Sequence, residues 1–150
     1  MKKILFIIIS IFLTNSSIAL EKTKQEKVAK YILINMQKDY TSCYAFYRIA
    51  SESFKKGNAE KSITKGLDKS ADTTLKFSYD LGEVLNLKFK FMTENNIKEI
   101  KKLGTIAKKD FNQLTKKYGV LCKKLVENQK QRIDYWENKG NIKIKWKKIY

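Results

Sequence analysis

The chain has 150 residues, with 32 lysines and arginines against 15 acids, no histidine and no proline, giving a formal charge of +17. Without histidine it lacks the usual general base, the commonest metal ligand and imidazole ligation of haem, which argues against most enzyme and metalloprotein classes. Without proline, where about seven would be typical at this length, nothing breaks a long helix from within.

The N-terminus reads as a secretory leader. Lys2 and Lys3 precede an apolar run from Ile4 to Leu13 broken only by Ser10, and Ser17-Ile18-Ala19 forms a small-residue cleavage signature. The run is about half the ~20 residues a bilayer span needs, and Thr14-Asn15-Ser16-Ser17 interrupts it, so a cleaved leader over residues 1–19 is expected rather than an uncleaved anchor. No cysteine lies at the cleavage point, which argues against a lipoprotein. Cleavage leaves one domain by length and lowers the formal charge from +17 to +15. The expected location is periplasmic or extracellular, with no span after cleavage.

The first mature helix is expected from about Glu21 to Lys56. Its apolar seam is Val28, Ile32, Met36, Tyr40, Cys43, Tyr47, Ala50 and Phe54, in helical steps of three and four. Gly57 is the expected left-handed stop, and Asn58 the cap of the next helix. A second seam runs Ile63, Leu67, Ala71, Leu75, Ser78, Leu81, Leu85, Phe89 and Met92, with Gly82 allowing a close approach. Thr93-Glu94-Asn95-Asn96 is the expected break. The third seam runs from Ile97 through Leu103, Phe111, Tyr118, Cys122 and Leu125 to Ile133 and Trp136, with Gly104 and Gly119 as candidate bends.

The predicted fold is all-α, an antiparallel up-down-up bundle of three long helices over residues 20–138, or four if the third breaks near Gly119. Residues 139–150 alternate Ile142, Ile144 and Trp146 with Lys143, Lys145 and Lys147. With no strand to pair with, they read as an irregular basic tail.

Cys43 and Cys122 both lie on core seams, in a chain expected to reach a compartment where disulfides persist, so a disulfide between them is predicted. In an up-down-up bundle the first and third helices are parallel. The cysteines then fall at one height, which sets Arg48 level with Glu127 and Arg132 level with Glu52 as inter-helix ion pairs. Arg48 and Arg132 are the only arginines, and the planar guanidinium fork suits such pairing.

Tyr40, Tyr44 and Tyr47, with Arg48, form a candidate ligand pocket to which Tyr79, Tyr118, Tyr135 and Trp136 could contribute; ordinary core packing is the alternative. Asp39, Glu52, Asp72, Asp80 and Glu83 are the acids an enzyme could use, but they are scattered among lysines and lack a histidine partner. No catalytic residue, cofactor or metal is expected. Lys143, Lys145, Trp146, Lys147 and Lys148 are a candidate surface-binding tail for an anionic membrane. The near absence of arginine argues against specific nucleic-acid binding, and heavy Lys, Ile and Asn usage also fits an AT-rich genome. The expected function is an exported, non-enzymatic binding or interaction protein of the cell envelope. Its partner would be an anionic envelope component or another envelope protein. Alternatives are a cationic protein on anionic surfaces and a small-ligand carrier.

Overall fold

The computed structural model describes the backbone of residues 19–146 and the side chains of residues 23–141. The predicted leader up to Ile18, and the side chains of Lys143, Lys145, Trp146, Lys147 and Lys148, lie outside the described residues. Every regular element within them is helical. The elements are α1 (Ala19–Lys56), α2 (Lys61–Val84), α3 (Phe89–Lys109), α4 (Phe111–Leu114), a π-helical turn (Thr115–Gly119), α5 (Val120–Glu127) and α6 (Gln129–Trp146).

The 38-residue α1 is the spine on which everything else packs. Its buried Met36, Tyr40, Cys43, Phe46 and Ala50 meet Leu81 of α2, Leu103 of α3, Leu114, Tyr118 of the π turn, and Cys122 and Leu125 of α5. Directions follow from the pairs. Ser51 bonds Asp68 and Thr41 bonds Ser78, so α2 runs antiparallel to α1. Ser42 bonds Glu99 while Phe54 meets Phe111, so α3 returns parallel to α1. Beyond Asp110 the chain reverses once more, since Cys43, Asp39 and Val28 of α1 meet Cys122, Arg132 and Gly140 in turn.

The predicted division into three helices therefore needs correction at several points. The second seam does not continue from Leu81 to Met92 in one helix. At its end Asn86 takes a left-handed φ of 56°, Leu87 N–H reaches Gly82 C=O at 2.8 Å, and Asn86 N–H reaches Glu83 C=O at 2.9 Å. This is a Schellman closure with asparagine, the residue other than glycine best suited to that conformation. A second such closure ends α1, and there Asn58 (φ 55°) takes the left-handed position expected of Gly57, leaving Glu60 to precede α2. Thr93–Asn96, the expected break, lies inside α3. Gly104 lies inside α3 and does not break it, and Gly119 ends the π turn with helix on both sides.

The actual reversal sits at Asp110, whose carboxylate caps the following turn by accepting from Gln113 N–H at 2.9 Å. Asn128 caps α6 in the same way, accepting from Gln131 N–H at 3.2 Å. The tail from residue 139 is not irregular at its start, because α6 continues to Trp146. Apolar seam positions also fail to guarantee burial, for Ile63, Phe89 and Ile97 are exposed.

Small residues set how closely the helices approach. Ala71, Thr74 and Ser78 present α2 to α1, and Ser78 joins Gln37 and Thr41 in a buried hydrogen-bonded trio. A Cβ built at Gly82 would collide with the thioether of Met92, so glycine is what lets α2 and α3 meet below their turn. Gly82→Ala would gain about 1 kcal/mol of helix propensity but overpack a buried methionine, at about 1–3 kcal/mol. A net loss of stability in urea unfolding is expected, relieved by the additional change Met92→Ala.

Candidate functional site

The residues singled out from sequence separate into distinct places. Tyr40 is a core residue stacked on Phe77, with ring centroids 5.1 Å apart, and its hydroxyl accepts from Gln129 Nε2 at 2.6 Å. Burial, with a smaller contribution from the Asp39 charge, pushes that hydroxyl up to about 12 against the partial offset of the Gln129 bond. The folded value lies above the ordinary one near 10, so this contribution to stability is intact below about pH 10 and is lost as pH rises toward about 12. Roughly 2–3 kcal/mol should go over that window. Urea midpoints measured across it should fall more steeply for the native chain than for Tyr40→Phe.

Tyr47 is half-buried against Phe46, Tyr118 stacks on Phe46, and Tyr79 bonds Thr93 and stacks on Phe89. Tyr135 and Trp136 belong to α6, where Arg132 and Lys139 lie over their rings. The aromatic set does not converge on one pocket.

The ion pairs form with other partners than those expected. Arg132 grips Asp39 of α1 through both carboxylate oxygens, Nε at 2.7 Å and Nη2 at 3.0 Å, and Trp136 Nε1 donates to the same carboxylate at 2.6 Å. Glu52 instead pairs with Lys55, and Glu127 with Lys123. The physical reason is direction: the strip carrying Cys122 and Arg132 runs antiparallel to α1, so residues beyond Cys122 face residues before Cys43. Asp39, considered as a candidate acid, is thus a buried anchor for α6. Asp80 pairs with Lys76 at 2.7 Å. Among the described residues no three acids or cysteines are grouped as metal ligands.

Arg48 pairs with Asp68 of α2, at 3.6 Å and without a hydrogen bond at that distance. Asp68 is already engaged. The Ser51 hydroxyl, then the Lys55 ammonium, hold its carboxyl below the usual range, with Oγ at 2.7 Å and Nζ at 3.0 Å. Arg48 also lines a groove of about 500 Å³ between α1 and α3. Ile49, Ile100, Gly104 and Ala107 give it an apolar floor, Tyr44 lies on its wall, and Lys56 and Lys108 add positive charge against Glu52. Two of the four predicted pocket residues, Tyr44 and Arg48, are therefore brought together, while Tyr40 and Tyr47 are not part of the lining. The α3 contribution was missed in the sequence. Its only trace there is the small pair Gly104 and Ala107, whose side chains leave the space open; a Cβ at Gly104 would meet nothing within 4 Å.

No family profile, curated protein or solved structure matches the chain.

Proposed function

We propose that the chain is an exported, non-enzymatic binding protein that takes a small organic anion in the groove between α1 and α3. The observation that carries this reading is Arg48: an arginine at an apolar groove whose nearby acid is already bonded elsewhere. A ligand carboxylate, sulfonate or phosphate would supply the bidentate partner that Asp68 does not, and its apolar body would cover Ile49, Ile100 and Ala107. Export is supported by the leader pattern and by the buried Cys43–Cys122 disulfide. The binding partner of the envelope reading is then a small molecule rather than a protein.

Anilinonaphthalene sulfonate, an apolar ring system bearing one anion, is a direct probe. Titration of the oxidised mature protein should show saturable fluorescence enhancement. Gly104→Leu fills the groove from an open position and should abolish the response without unfolding the chain, as checked by circular dichroism. Arg48→Gln should weaken binding about tenfold or more, the scale of a hydrogen bond to a charged group. Undiminished binding by Gly104→Leu would rule out the groove. Undiminished binding by Arg48→Gln would rule out the anion contact.

A further inference from the structure

Nine large apolar side chains are exposed among the described residues, and three of them, Val84, Phe89 and Phe91, fall within eight consecutive positions at the turn between α2 and α3. Phe89 is 71% exposed, more than any of the others, with Phe91 at 50% and Val84 at 48%. Lys88 and Lys90 are interleaved with them and also exposed. The display is fixed in place. Phe89 rests one face on Tyr79, with ring centroids 5.1 Å apart, and the Tyr79 hydroxyl is tied to Thr93 at 2.8 Å. The left-handed Asn86 closes the turn beneath.

We infer that this corner docks the protein on an anionic phospholipid bilayer, with Phe89 and Phe91 entering the interface and Lys88 and Lys90 meeting the headgroups. A helix-to-helix turn is a convex tip. Three exposed apolar side chains at one turn are few beside the roughly 20–30 residues a side of a stable protein interface, whereas a bilayer accepts a few apolar side chains at a point. Residues 88–91 open α3, and side chains there tilt toward the helix N-terminus. Phe89 and Phe91, although on different sides of the helix, therefore both lean to its tip beside the ammonium groups of Lys88 and Lys90. A lysine can keep its charge at the anionic surface while a ring enters below it. Glu83 and Glu94 flank the corner, and the formal charge of +15 expected after leader cleavage outweighs them at range. This inference is independent of the groove, and it places surface attachment at the corner rather than at the C-terminal tail.

Sedimentation of the oxidised mature protein with vesicles of mixed phosphatidylglycerol and phosphatidylcholine, against pure phosphatidylcholine, tests it. Preferential binding to the anionic vesicles is expected. Phe89→Ser with Phe91→Ser should reduce partitioning about tenfold or more, Lys88→Gln with Lys90→Gln should remove the anionic preference, and truncation after Gly140 should leave most binding in place. Helical circular dichroism confirms folding of each variant. The inference is overturned if the double serine variant partitions like the native chain, if truncation alone abolishes binding, or if the serine changes convert a dimer to a monomer while vesicle binding persists.

Discussion

Asp39→Ala is expected to destabilise the protein by about 3–5 kcal/mol, the range for breaking a buried ion pair by removing one partner. The magnitude rests on how much converges on one carboxylate. Arg132 contributes two hydrogen bonds and Trp136 a third, and the Asp39 and Arg132 side chains are only 11% and 21% exposed. Without the carboxylate, a guanidinium lying over the Tyr135 and Trp136 rings is left without its anion. The loss should be local as well as global. Besides this anchor, α6 is held to α1 by Gln129 on Tyr40, by Tyr31 against Trp136, and by the close approach of Gly140 to Val28 and Tyr31. Hydrogen exchange over residues 129–140 should therefore rise more than over α2 or α3. Arg132→Lys keeps the charge but not the fork, and should recover only part of the stability. A double change of Asp39 and Arg132 to alanine should cost less than the sum of the single changes, because neither charge is then stranded. Additive losses would mean that the pair is not coupled.

Removal of the Cys43–Cys122 bridge is the second large effect. The bridged residues are 79 apart in sequence, and closing a loop of that length contributes about 4 kcal/mol in the chain-entropy account. The paired change to alanine should lower the melting temperature by about 10–20 °C for a domain of this size. Because both cysteines are fully buried, reductant should reach the sulfurs only after opening, so reduction of the native protein should be slow and should accelerate in mild urea. The bridge and the Asp39 anchor both tie the last part of the chain to α1, at adjacent heights. Their losses should therefore combine non-additively, with α6 already partly released in the first variant. Rapid reduction under native conditions, or a shift of only a few degrees, would show that the loop is held closed by packing alone.

Helical content was legible in the sequence because periodicity records which side of a helix meets its neighbours, and the absence of proline removed the main interruption. The course of α1 follows from the seam of Met36, Tyr40, Cys43 and Ala50, all buried as their spacing requires. The meeting of Cys43 with Cys122 had the same origin, two cysteines on two apolar stripes. Turns were harder to see. Leu81, Leu85, Phe89 and Met92 keep helical spacing straight through the α2–α3 corner, so the pattern hides a reversal closed by Asn86. Asp110 and Asn128 were legible as caps only in retrospect, since the apolar rhythm again continues across them.

What the sequence determined by itself is an all-helical chain with α1 as a long amphipathic element and one cysteine on each of two apolar stripes. That the cysteines meet at one height was argued from parallel helices, and the structure brings them together on antiparallel ones. Tertiary structure alone decided direction. A single contact between two helices is satisfied by parallel and antiparallel passage alike, and only a second contact distinguishes them. Arg132 on Asp39 is that second contact, and it moved both predicted arginine partners. The groove had the same origin, for α3 comes to lie beside the C-terminal half of α1 through the turn closed at Asn86.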